Sequence, residues 1–262
     1  RQSLAGNGTQ TSALAYGGGA PDRSANTELY NGTTWGELNN LNTARDNLAG
    51  VGADGTSALA FGGDAAPAST TDTESWNGTS WTEVNNLNDT SPNAGSLGIA
   101  TAALNFGGGG TVNTEQWNGS SWTEVNNLNT ARDGNPGGAG TTTAGLAFGG
   151  KDPSNPTGAT ESWNGSSWSE VNDLNTARRQ LAGDGTQTSA LAFGGENPSV
   201  ARSNAVELWN GSNWSNQNTL STGRNVLAGA GTSNTSAIAF GGTTGTYSNS
   251  TEEWNGDGVV TE

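Results

Sequence analysis

The chain has 262 residues, a formal net charge of −15, ten tryptophans and no Cys, His or Met. The acidic balance repels a phosphate backbone, so nucleic acid is not expected as a partner. Without Cys and His there are no disulfides, no thiolate or imidazole metal ligands and no histidine general base, which removes much of enzymology. Length alone permits one large all-β domain or two ordinary ones. Mean hydropathy is −0.59, yet disordered chains are poor in large aromatics, so the tryptophans argue for a packed fold. No apolar run approaches the roughly 20 residues that span a bilayer, so no membrane insertion is expected, and no signal peptide is visible. A chain without Met that begins at Arg1 reads as a domain of something longer.

Six units follow in chain order. The first, 1–44, opens on Arg1, places Tyr16 before Gly17-Gly18, sets Glu28 two residues before Tyr30, and continues through Asn31-Gly32 to Trp35. The second, 45–90, repeats this as Arg45, Phe61, Gly62-Gly63, Glu74, Trp76, Asn77-Gly78 and Trp81. The third, 91–131, starts with Ser91 in place of arginine and has Asn105 before Phe106, then Glu115, Trp117, Asn118-Gly119 and Trp122. The fourth, 132–177, carries Arg132, Phe148, Glu161, Trp163 and Trp168, and the fifth, 178–223, carries Arg178, Phe193, Glu207, Trp209 and Trp214. The sixth, 224–262, has Arg224, Phe240, Glu252 and Trp254, then Gly256-Asp257-Gly258-Val259-Val260, with valine where the second tryptophan belongs. Its outer strand is therefore expected to fray or to be completed by further sequence.

The Gly-Gly doublets recur at intervals of 45, 45, 42, 45 and 47 residues, the scale of a four-stranded blade. In the fifth unit the small residues 181–185 suit an innermost strand. Residues 189–193 form a second strand ending on Gly194-Gly195, a third ends at Trp209, and a fourth follows with Trp214. Asn-Gly is a strong signal for a two-residue type I′ hairpin turn. In the second unit that register sets Trp76 against Thr79 and Glu74 against Trp81, with both tryptophans on one buried face. Seventeen of the eighteen aromatics fall into three columns, leaving only Tyr247. A lone unit cannot bury such columns, but a ring can, which predicts an all-β, six-bladed β-propeller with four antiparallel strands per blade in a single domain over 1–262.

A strand ending in Gly-Gly, two aromatics about five residues apart, and an arginine opening the next unit resemble the kelch repeat over the whole chain. The wording of the units, with LAGAGT at 227–232, SALAFGG at 189–195 and NNLNTAR at 126–132, is similar to the Asn/Gly/Thr-rich kelch-like repeats of marine bacteriophage structural proteins. That resemblance implies a virion or extracellular location in a tail, fibre or decoration protein. Its expected partners are other proteins of a larger assembly, or a cell-surface glycan or protein.

The glutamates Glu28, Glu74, Glu115, Glu161, Glu207 and Glu252 recur in rhythm with Arg1, Arg45, Arg132, Arg178 and Arg224. Six carboxylates in a ring could bind cations, but a carboxylate on a tryptophan-lined face needs a partner, and structural Glu–Arg pairing is the expectation. Ser91 then leaves one carboxylate to find another. No cofactor, metal or catalytic residue is expected: repeat-invariant acids do not mark a single glycosidase site, the sialidase-type Asp-box is absent, and copper chemistry lacks its ligands. The sequons at Asn31, Asn77, Asn118, Asn164 and Asn210 coincide with the hairpin turns. Internal variation concentrates in the loops after Gly-Gly. These carry Asp22 and Arg23 in 19–26, Asp64 and Asp72 in 64–72, Lys151 and Asp152 in 151–159, Glu196 and Arg202 in 196–205, and Tyr247 in 243–250. They are the candidate binding residues of a non-enzymatic structural or recognition module. A secreted or surface bacterial carbohydrate-binding protein, a glycan-cleaving enzyme and a designed propeller are the alternatives.

Overall fold

The computed structural model describes residues 1–256, together with 259–261 as backbone. Blade 1 is built of β1 (Ala5–Thr9), β2 (Ser12–Tyr16), β3 (Thr27–Tyr30) and β4 (Trp35–Leu38), and blade 2 of β5 (Ala49–Asp54), β6 (Ser57–Phe61), β7 (Thr73–Trp76) and β8 (Trp81–Val84). Blade 3 has β9 (Gly95–Ile99), β10 (Ala102–Phe106), β11 (Thr114–Trp117) and β12 (Trp122–Glu124), and blade 4 has β13 (Gly137–Thr141), β14 (Ala144–Phe148), β15 (Thr160–Trp163) and β16 (Trp168–Val171). Blade 5 has β17 (Ala182–Thr186), β18 (Ser189–Phe193), β19 (Val206–Trp209) and β20 (Trp214–Asn216), and blade 6 has β21 (Ala228–Ser233), β22 (Ser236–Phe240), β23 (Thr251–Trp254) and β24 (Val259–Thr261). Each sheet is antiparallel in sequence order, and the innermost strands touch one another in turn, β21 meeting β1. The protein is a six-bladed β-propeller.

Small residues form the inner strands because neighbouring blades converge there. A Cβ at Gly50 would lie 2.0 Å from the Tyr16 hydroxyl of the preceding blade. The Gly-Gly doublet ends the second strand for a related reason. Gly18 holds φ at +86°, and a Cβ there would lie 2.7 Å from the Gln2 carbonyl.

The hairpin between the third and fourth strands differs from the two-residue turn that Asn-Gly predicts. In blade 2 the loop is four residues long, Trp76 lies directly opposite Trp81, and Glu74 opposes Glu83. The Asn77 side chain decides this: its Oδ1 accepts from the amides of Thr79 (2.9 Å) and Ser80 (2.9 Å), closing a longer turn locally. Both tryptophans still share a face, their ring centroids 5.4 Å apart.

The two tryptophans have separate tasks. The first closes its own blade, as Trp76 Nε1 donates to the Gly55 carbonyl in the β5–β6 turn. The second joins blades: Trp81 packs on Tyr16 at 4.9 Å and donates to Thr27 Oγ1 of blade 1. Trp122, Trp168 and Trp214 repeat this on Thr73, Thr114 and Thr160, and Trp35 does so on Thr251, closing the ring. Burial of an indole, a tilted or edge-on ring contact and a satisfied N–H act together at these five seams. Every blade takes its four strands from one unit, so the ring closes without exchange of an outer strand. β24 pairs with β23, setting Val259 opposite Trp254. Asp257, Gly258 and Glu262, and with them the expectation that this outer strand frays or is completed, lie outside the described residues.

The repeated charges are buried. Arg45, Arg132, Arg178 and Arg224 reach Glu74, Glu161, Glu207 and Glu252 at 2.9, 2.8, 3.0 and 2.7 Å with almost no exposure, and Arg1 pairs with the partly exposed Glu28. Burial pushes the Arg178 guanidinium below the usual arginine range, while Glu207 pulls it back. Each guanidinium also bonds backbone carbonyls, so the pair ties the blade entry to its third strand.

Candidate functional site

The loops after Gly-Gly and the connections between blades share one face, joined by short bridges such as Asp46 to Asp64, Asp133 to Lys151 and Arg179 to Glu196. Near the axis this face carries a ring that the repeat pattern does not announce. Ser3, Asn47, Asn93, Asn135, Gln180 and Val226 all hold φ between 48° and 60°. The amide of Ser3 donates to Val226, Asn47 to Ser3, Asn93 to Asn47, Asn135 to Asn93, Gln180 to Gly134 and Val226 to Gln180, at 2.7–3.1 Å. Six blade-to-blade hydrogen bonds thus encircle one mouth of the central channel. The available signal was partial: the ring residue lies two positions after the first residue of each unit except the fourth, where Asn135 lies three after Arg132, and Asn recurs there at 47, 93 and 135 and tolerates the left-handed region.

Most of the charged loop residues singled out from the sequence are engaged within the scaffold. Arg23 donates to Asp46 at 2.9 Å, and Asp64 accepts from Asn47 and Ser69. The Asp72 carbonyl receives Arg45 while its carboxylate receives Asn86. Asp152 caps its own loop through the amides of Ser154 and Asn155, and these bonds hold its carboxyl below the usual range. Glu196 pairs with Arg179 at 2.7 Å and accepts from Asn225. Asp22 is exposed, and Lys151 has no ion-pair partner among the described residues.

One part of the face is different. Arg202 is exposed, has no ion pair among the described residues, and lies against the next loop, where a Cβ on Gly245 would stand 3.5 Å from its Cζ. Tyr247 on that loop is 48% exposed and Val200 on the Arg202 loop is 46% exposed. Adjacent loops of blades 5 and 6 therefore present an aromatic ring, an unpaired guanidinium and an apolar side chain on a rigid base. No protein-family model and no curated protein matches this sequence. The patch offers a stacking surface and a fork of donors, a chemistry for binding hydroxyls, carbonyls or carboxylates.

The channel is a concave feature. It encloses about 370 Å³ and is walled by the glycine-rich inner strands. Asp184 opens partly onto it, and burial pushes its carboxyl up to about 8 although the amides of Gly185 and Gly231 bond it.

Proposed function

We propose that this propeller is a non-enzymatic recognition or structural module that displays loops from a rigid ring. The observation that carries this reading is the exposed Tyr247 on the loop that meets the unpaired Arg202 at Gly245, on a face where Arg23, Asp64, Asp72, Asp152 and Glu196 are spent in holding loop shape. The kelch-like unit and the phage-like wording support a virion component, in a tail, fibre or decoration protein, that contacts a cell-surface glycan or a neighbouring protein. A bacterial carbohydrate-binding propeller would use the same patch, since a flat aromatic next to an arginine suits a sugar ring and its hydroxyls or acids.

The test compares the wild-type domain with Y247A/R202A on a broad glycan array and on intact bacterial cells. Saturable binding by the wild type that falls at least about tenfold in the variant, the loss expected when roughly 1.4 kcal/mol of contact is removed, supports the patch. Binding that the variant retains moves the site elsewhere. A folded wild type that binds neither overturns glycan recognition and leaves a protein of the same assembly as partner.

A further inference from the structure

We infer that blade 3 binds a divalent cation of the calcium class in the place that the sister blades fill with a guanidinium. In blades 2, 4, 5 and 6 the arginine Nη2 donates to the glutamate, while Nη1 donates to the first glycine carbonyl and to the carbonyl two residues before the glutamate. The matching acceptors in blade 3 are Glu115, Gly107 and Asn113, and the arginine position holds Ser91.

Three substitutions coincide there. Ser91 removes the cation. Asn105 stands where the other blades have Ala15, Ala60, Ala147, Ala192 and Ala239, directly opposite Glu115 in the strand register. Asp89 stands where the other connections have Thr43, Thr130, Thr176 and Thr222. Blade 3 thus loses a buried positive charge and gains an exposed negative one on the adjoining connection, a change of charge that a neutral repacking does not balance.

The local bonds agree. Glu115 is 3% exposed and accepts from Asn88 N (2.9 Å), Asn88 Nδ2 (2.6 Å) and Asp89 N (3.2 Å), all donors of the connection that enters blade 3. The side of Oε1 that meets Nη2 in the sister blades meets no donor among the described residues. Asn105, also 3% exposed, gives its Nδ2 to Ser91 Oγ at 2.8 Å, while its Oδ1 has no partner among the described residues. The exposed Asp89 carboxylate accepts from the Asn113 side chain at 3.2 Å, while the Asn113 carbonyl accepts from Gly107 N at 2.9 Å and the Gly107 carbonyl from Thr111 Oγ1 at 3.5 Å, each carbonyl keeping a second lone pair. Two carboxylates, an amide oxygen and two carbonyls are hard oxygen donors of the kind calcium takes, and an uncompensated buried carboxylate is otherwise costly.

Calcium is titrated calorimetrically into chelator-stripped protein, with thermal unfolding followed in calcium and in EDTA. Wild type is expected to bind one ion and to unfold at higher temperature in calcium. S91R/N105A, which installs the sister pair, is expected to lose both the heat and the calcium-dependent shift. D89N, at an exposed position, keeps the fold readable if the double variant does not, and is expected to bind at least about tenfold more weakly. Absence of binding by wild type at about 1 mM calcium, the weak end of protein calcium sites, overturns the inference and means that the Asn105 amide, turned end for end, serves Glu115 alone. Unchanged binding in folded S91R/N105A, or in D89N, also overturns it by placing the ion elsewhere on the acidic surface.

Discussion

Asp184 shows how one residue couples the channel wall to pH. Its side chain leans toward Gly231 of the next blade and accepts from Gly185 N at 2.6 Å, but two amides do not offset its burial, and its carboxyl rises from an ordinary 3.8 to about 8. Between those values the folded protein holds a proton that the unfolded chain releases. This contribution to stability is therefore complete below about pH 4, declines as pH rises, and is gone above about 8. D184N removes the titration while keeping an acceptor for the two amides. Melting temperatures measured from pH 5 to 9 should fall more steeply for wild type than for D184N, with the variant ahead at pH 9. Parallel curves would mean that the carboxyl is ionised throughout.

At the scale of strands, departures from the repeat come in matched sets. β5 and β21 each shift register near their ends, and each bulge faces a polar residue on the previous inner strand. Asn7 donates to the Asp54 carbonyl at 3.1 Å, and Asp184 takes the Gly231 amide. The inner strands β9, β13, β17 and β1 pair without such a shift and follow Val51, Leu97, Ala139 and Ala230 at the same position. The extra residue disrupts the ladder, and the polar side chain satisfies what it frees. The indole staples show the same matching: Val206 occupies the threonine position of blade 5, and Val259, opposite Trp254, occupies the position of the indole that would reach it. Acceptor and donor are missing together. V206T/V259W should add a sixth staple and raise stability by about 1–2 kcal/mol, more than V259W alone, in urea unfolding. No gain from the pair beyond the single change would show that the hydrogen bond contributes nothing at this seam.

Over the whole ring, a net charge of −15 acts against compactness, while the buried Arg–Glu pairs lie out of reach of salt. Raising NaCl from about 0.01 to about 0.5 M shortens the screening length severalfold. The melting temperature should rise over that range as surface repulsion weakens. A fall would mean that attractive surface pairs such as Arg23–Asp46 outweigh the net charge.

The six units, their four strands, the aromatic columns and the partnership of arginine with glutamate were legible in the chain. Each is recorded in local periodicity, which states which face a residue must bury and how often. The four-residue hairpin was not legible, because the Asn77 side chain competes with the backbone for the turn amides and Asn-Gly looks the same in either case. Nor was the engagement of Asp64, Asp152 and Glu196, which left Tyr247 and Arg202 open together on adjacent loops. The blade and the need for a ring follow from the residues alone, since tryptophans on one face of a sheet must be covered by a neighbouring sheet. Which residue meets which across the blades is set by the packing of the whole ring. Trp81 finds Thr27 54 residues away, and Ser3 finds Val226 across the closing seam, because those distances depend on how all six blades pack together.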